Sequence, residues 1–299
     1  EISAVSLPAR ELGGDLYDFL PLRADRQGIM IGDVSGKGLP AALRMAVART
    51  VFRAEARRGA DPGQTLRAVN QVLIEEMPHG MVTLLYAQVN PLNGRIRFAN
   101  AGHNYPIVIR QQVDEVEVSG LPLGVADMED YAEEQITLNP GETALFYTDG
   151  VVEAMSEQDE LFGFARLQEL LGTVGHLKPR ALMARILAEV RAWASGQGQD
   201  DDITMVLLRR RLTRLSDELH SIAADVVGPL TTDDLWAALG LHEERSAEEW
   251  NDVLRALSDL VSGQFGRGIA REILGQLRPV IDEYRLIEAS AREAQGDHP

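Results

Sequence analysis

Cysteine is absent from the 299 residues, which removes disulfides, thiolate metal sites and every cysteine-nucleophile mechanism from consideration. Lysine is scarce: Lys37 and Lys178 are the two in a chain with 29 basic residues, a bias read most simply as genomic base composition. No apolar run approaches the ~18 residues of a membrane span, and the first residues carry no signal-peptide pattern. Positive charge is short as well. The 46 acidic residues leave a formal net charge of −17, which argues against nucleic acid or an anionic membrane as partner. With 45% apolar residues, the expectation is a soluble, cytoplasmic chain with a real core in one or two domains. The chain opens on Glu1 rather than Met, directly into EISAVSLPAR, so it reads as a segment of something longer.

What is present first suggests a nucleotide site. Residues 29–43, IMIGDVSGKGLPAAL, read as an apolar strand, a glycine-rich turn and a helix start. A P-loop needs G-x-x-x-x-G-K-[ST]. Here three residues separate Gly32 from Gly36, and Gly38 stands where the hydroxyl would be. The P-loop is rejected, and Asp33, at the end of a buried strand, needs another explanation.

Up to about Arg211 the chain mixes strands and helices. Helical spacing runs over 39–58 and 62–77, with Pro62 in a favoured first-turn position. Two strands meet at a turn over Pro91 to Gly94, where Asn93-Gly94 is a hairpin signal. Further strands are expected in NYPIVIR, in ETALFYTDGVVEA and after DDD (200–202), with two helices between the last two. The pattern predicts an α+β sandwich with a mostly antiparallel sheet core. Residues 212–299 read as a separate all-helical C-terminal module with 17 acidic and 8 basic residues. In it Ser246 and Glu249 form an S-x-x-E capping box, and Trp250, Val253, Leu254, Leu257 and Val261 share a face. Gly263 is expected to stop that helix, and Pro279 to kink or break the next.

Four motifs set an aspartate beside glycine or at a strand end: GGDLYD (Asp15, Asp18), GDVSGKG (Asp33), YTDG (Asp149) and DDDIT (Asp200, Asp201, Asp202). Any one of them is ordinary turn chemistry. Strand ends that converge at one sheet edge would gather the carboxylates, where each pair at ~4 Å repels by about 1–4 kcal/mol. A divalent cation relieves that repulsion, and carboxylates with backbone carbonyls and waters suit Mg²⁺ or Mn²⁺. None of the six histidines falls in these motifs, which argues against zinc.

The stretches PARELGGDLYDF, GIMIGDVSGKGLPAAL, FANAGHNYPIVI, SGLPLGV, ETALFYTDGVVEA and DDDITMVLLR follow one another in this order. They resemble the bacterial SpoIIE/RsbU-type branch of the PPM (PP2C-like) serine/threonine phosphatases, over about residues 1–211. The resemblance implies a PP2C-like sandwich of two antiparallel sheets flanked by helices, with two divalent cations, Mn²⁺ or Mg²⁺, in a cleft at the sheet edges. By the same resemblance Asp33 would bridge both ions, with the Val34 carbonyl as a further ligand. Asp15 would ligate directly or through water. Asp149 and Asp201 would hold one ion, with Asp200 and Asp202 as alternatives to Asp201. A metal-bound water would attack the phosphoryl group in line, with no covalent enzyme intermediate.

Two departures from the eukaryotic pattern stand out. Ser35 occupies the place of a general-acid histidine, so slow turnover is implied, and Arg10 is the candidate for the phosphate-binding arginine. His103 and Asn104 are expected to build a polar turn under the cleft, Asp18 and Glu153 to act at most indirectly, and Lys37 to face a phosphoprotein or water. The implied substrate is a phosphoserine or phosphothreonine protein, an anti-anti-sigma (STAS) protein of a partner-switching system. An upstream sensor domain or a homodimer would complete the signalling chain, with residues 39–77 coupling it to the metals. A catalytically silent phosphoprotein-binding module is the rival reading; it would be marked by loss of a metal aspartate, and none is lost.

Overall fold

The computed structural model describes residues 1–294 except 24–25, 78–79, 128–129, 195–197, 211–213 and 242–244; at 221, 225, 229, 283 and 286–294 it describes the backbone alone. The chain divides into two compact units, Glu1–Arg211 and Leu212–Pro299.

The first unit runs β1 (Ile2–Leu7), β2 (Leu16–Pro21), β3 (Gln27–Val34), α1 (Leu39–Ala56), α2 (Pro62–Glu76), β4 (Val82–Val89) and β5 (Arg95–Ala101). It continues with β6 (Ile107–Ile109), β7 (Val113–Glu115), β8 (Glu133–Thr137), β9 (Thr143–Tyr147), α3 (Gly163–Val174), α4 (Pro179–Trp193) and β10 (Ile203–Arg209). The strands form two sheets, in the orders β1-β10-β9-β6-β7 and β2-β3-β4-β5-β8. Every neighbouring pair is antiparallel.

Side-chain alternation explains why the central strands read as unbroken apolar runs. In β3, Ile29 and Ile31 join a core with Leu85, Phe98, Phe146 and Val206, residues of both sheets. Met30 and Val34 point the other way, into a cluster with Phe52 of α1 and Leu66, Val69 and Leu73 of α2. The opposite sheet repeats the scheme: Leu145, Tyr147, Met205 and Leu207 pack with Leu167 of α3 and Leu182 and Ile186 of α4. A strand covered on both faces must be apolar at consecutive positions. The result is the expected sandwich with helices outside. Strands β1, β2, β7 and β8 were not legible in the sequence: β7 has three residues, and β8 is half-exposed along its length.

The second unit consists of α5 (Leu215–Val227), α6 (Pro229–Leu239), α7 (Ala247–Phe265) and α8 (Arg267–Ala294). Trp236, Trp250, Leu254, Leu257, Ile273 and Ile281 centre its own core. Two local expectations need correction. Helix α7 passes through Gly263 and ends at Gly266, whose φ of 88° supplies the positive backbone angle that termination needs. A helical glycine costs about 1 kcal/mol against alanine, too little to stop an amphipathic helix. Of the kink or break expected at Pro279, the break does not occur: the residue lies inside α8, where burial of Leu277 and Ile281 on either side outweighs one lost hydrogen bond.

The capping box is present: the Ser246 hydroxyl accepts from the Glu249 N–H while the Glu249 carboxylate accepts from the Ser246 N–H at 2.8 Å. Ser246→Ala is expected to cost about 1 kcal/mol. Urea unfolding followed by tryptophan fluorescence measures it, since Trp236 and Trp250 report on this unit; an unchanged midpoint would contradict the cap's role.

Candidate active site

Strand pairing brings the four acidic motifs to one end of the sandwich. Leu16 lies opposite Gly32 in the β2–β3 ladder, so one step further Asp15 lies opposite Asp33. Met205 pairs with Tyr147, so the chain leaving β9 toward Asp149 runs beside the chain entering β10 from Asp200–Asp202. Leu7 pairs with Ile203, which sets the segment after β1 beside the same aspartates.

Asp202 ties these parts together. Its Oδ1 accepts the Ala9 N–H at 2.8 Å, and its Oδ2 accepts the N–H groups of Gly14 at 2.7 Å and Asp15 at 3.3 Å. The residue is buried. Its carboxylate thus holds three backbone donors of the loop between β1 and β2. Asp15 is buried beside it and accepts the Thr148 hydroxyl at 2.7 Å. Burial pushes the Asp15 carboxyl up to about 8; hydrogen bonds from Thr204 and Thr148 hold it back in part, and the Asp33 and Asp202 carboxylates add to the rise. Thr148 was not singled out from sequence, and nothing marks it there beyond its place before Asp149.

Asp33 is half-buried, and burial followed by the charges of Asp149 and Asp201 raises its carboxyl to about 6. Burial also raises Asp149, with Glu153 and Asp201 adding to it. Thus Asp33, Asp149 and Asp201 share one electrostatic site. Gly14 backs it: a Cβ there would stand 2.7 Å from the Val34 carbonyl oxygen and 3.0 Å from Asp33 Oδ1, so this position must lack a side chain. Among the described residues, no three His, Asp or Glu side chains are gathered tightly enough to hold an ion by themselves.

The remaining candidates fall into place around this site. Lys37 keeps 47% of its side chain exposed while its Nζ donates to the Asp200 carbonyl at 2.8 Å and pairs with Asp201 Oδ2 at 3.1 Å. Ser35 is tied to Met81, donating its N–H to the Met81 carbonyl while its hydroxyl accepts the Met81 N–H at 3.1 Å. Asp18 is buried and ion-paired with Arg49, at 3.0 Å, and with Arg53, which anchors α1 on β2. Arg10 is exposed in the bend after Ala9 and makes no ion pair among the described residues.

His103 sits in a turn closed by Asn100, whose side chain accepts the His103 N–H and donates to its carbonyl, both at 2.8 Å. Its Nδ1 meets the Thr83 hydroxyl at 2.9 Å, and Thr83 pairs with Asp33 in the β3–β4 ladder. Nε2 faces the Tyr147 backbone too loosely for a full hydrogen bond. Burial lowers the imidazole to about 4. The folded state therefore binds a proton less readily than the unfolded chain, and stability present above pH ~6.5 is lost as pH falls toward 4. At pH 5 the loss is expected to be about 2 kcal/mol. Urea unfolding at pH 7.5 and 5.0 tests this, because His103→Gln should flatten that part of the pH dependence.

Two facing antiparallel sheets with helices outside define a PP2C-like fold, and the carboxylates gather where its strands end. The stage II sporulation protein E (SpoIIE) family model matches residues 23–211, and the chain belongs to that family. It is 29% identical over 219 residues to the phosphoserine phosphatase RsbU of Bacillus subtilis, covering 71% of this chain and 64% of RsbU. It is 30% identical over 241 residues to protein IcfG of Synechocystis, covering 70% of this chain and 38% of IcfG. The chain thus spans less than two thirds of the length of either relative. The crystal structure of the RsbU and RsbW domains of a Mycobacterium tuberculosis protein superposes with a TM-score of 0.61 at 26% identity, over 81% of this chain and 72% of that one. No helix among the described residues is long and apolar enough to cross a membrane.

Proposed function

We propose that residues 1–211 form a divalent-cation-dependent phosphatase acting on phosphoserine or phosphothreonine in a protein. The observation that carries this reading is Asp33, held half-buried against the charges of Asp149 and Asp201, each from a separate motif. Such crowding is unfavourable without a cation. The donors are all hard oxygens: the carboxylates of Asp33, Asp149 and Asp201 and the Val34 carbonyl would hold Mn²⁺ or Mg²⁺, with Asp15 behind Asp33. An open arrangement suits ions that keep several waters and take one or two carboxylates each. Bound there, two such ions would supply a water of lowered pKa as nucleophile and offset charge on the phosphoryl oxygens.

The chain's own groups set the rest. Ser35, whose hydroxyl accepts the Met81 N–H, is a far weaker acid toward a leaving alkoxide than an imidazolium, which supports slow turnover. Arg10 follows Ala9, whose N–H is fixed to Asp202 next to Asp201; it is the guanidinium in this loop that could reach a phosphate. The partner inferred is a phosphorylated anti-anti-sigma (STAS) protein, supported by the likeness to RsbU. Residues 212–299 are assigned to self-association or partner binding, and the solution mass of a chain ending at Arg211 tests that.

Hydrolysis of p-nitrophenyl phosphate with added Mn²⁺ tests the activity. Turnover that EDTA abolishes is expected. A folded, Mn²⁺-loaded protein with no turnover would instead favour a phosphoprotein-binding role.

A further inference from the structure

Beside Asp201 lies a pocket of about 250 Å³ that the chemistry above does not use. It opens between the turn after β9, the end of α4 and residues 198–201 before β10. Its walls are Ala154, Met155, Val190, Ala194 and Ile203, and Asp201 stands where the pocket meets the carboxylate site. The volume is below the ~300–1,000 Å³ typical of drug-sized ligands and suits a single amino-acid side chain.

The lining carries Glu153, Asp200 and Asp201 against Arg191, with Asp201 paired to Lys37. That balance disfavours an acidic occupant, and the aliphatic wall favours an apolar side chain over a basic one. Because the pocket shares Asp201 and the Gly150 turn with the carboxylate site, whatever fills it is held next to the reacting phosphate.

We propose that this pocket is a specificity subsite that takes an aliphatic side chain close to the phosphoserine of a protein substrate. The proposal rests on the phosphatase reading and adds to it a determinant of which phosphoproteins are accepted. A small substrate such as p-nitrophenyl phosphate has nothing to place there, so the pocket acts on phosphopeptides alone.

The test is a set of acetylated phosphoserine peptides carrying Leu, Ala, Lys or Glu at each of the two positions on either side of the phosphoserine, assayed with the full chain and Mn²⁺. At one position Leu should exceed Ala by about tenfold in kcat/KM, the range open to a hydrophobic pocket. Ala194→Phe, which narrows the pocket, should reduce that ratio to near one while p-nitrophenyl phosphate turnover stays within about twofold. Should Ala194→Phe lose the small-substrate activity through misfolding, Ala154→Leu, at a half-buried position of the same wall, serves in its place. Equal rates for all wild-type peptides, a preference for Lys or Glu, or a Leu preference that survives the narrowed pocket would each overturn the subsite. In these cases p-nitrophenyl phosphate turnover persists, whereas its absence from the wild type is the failure of the phosphatase reading itself.

Discussion

Asp33→Asn is expected to lower Mn²⁺-supported hydrolysis of p-nitrophenyl phosphate by about a thousandfold, ~4 kcal/mol of transition-state stabilisation, while making the chelated protein more stable. The two signs have one cause. Asp33 is desolvated and repelled by Asp149 and Asp201, so its carboxyl is raised to about 6 from an ordinary 3.8. Above pH 6 the folded state carries the cost of ionising it, and the isosteric amide removes that cost. For a half-buried group, discounted for solvent screening, the gain is about 1–2 kcal/mol. It should fade as pH falls from 6 toward 4, where the wild-type carboxyl takes up its proton and the difference closes. Urea unfolding in EDTA at pH 7.5 and pH 4, set beside the activity assay, checks both halves. A variant that loses activity and also loses stability would make Asp33 a structural residue and remove the main support for a cation site.

Asp202→Ala is expected to lower stability by about 3–5 kcal/mol. Its carboxylate accepts three backbone N–H groups, those of Ala9, Gly14 and Asp15, and each buried donor left unpaired costs ~1–3 kcal/mol. Asp202→Asn should lie between, because the amide keeps one acceptor and turns an NH₂ toward donors. The neighbouring substitution Asp201→Ala should cost less, about 1 kcal/mol, since Asp201 is 43% exposed and held by one surface ion pair and one hydrogen bond, from the Asp202 N–H at 2.9 Å. Its effect falls on activity and Mn²⁺ affinity instead. Denaturation midpoints of the three variants against calorimetric Mn²⁺ titrations separate the roles. Equal destabilisation by Asp201→Ala and Asp202→Ala would contradict the division of labour drawn from the hydrogen bonds.

Much of this was readable before any fold was known. Apolar runs in β3, β9 and β10 mark strands buried on both faces, and the helical spacing in α1, α2 and α7 is strong enough to survive weak breakers such as Gly263. The edge strands β7 and β8 were not readable, because a short or half-exposed strand lacks the periodic signal. Arg49 and Arg53, which clamp Asp18, sit on an exposed helical face where arginine has no need of a partner.

The sequence by itself determined that four separate motifs offer carboxylate oxygens, that the chain has no thiol, and that no histidine lies in those motifs. Residue type and order suffice for that, because ligand chemistry is a property of side chains. Only the tertiary structure showed that Asp202 holds the loop before β2, that Lys37 reaches across to Asp201, and that the charges of Asp149, Asp201 and Asp202 all bear on Asp33. These assignments follow from the register of β1, β9 and β10 across long sequence separations. A one-residue shift in that register would exchange the roles of Asp201 and Asp202, since successive side chains along an extended chain point to opposite sides.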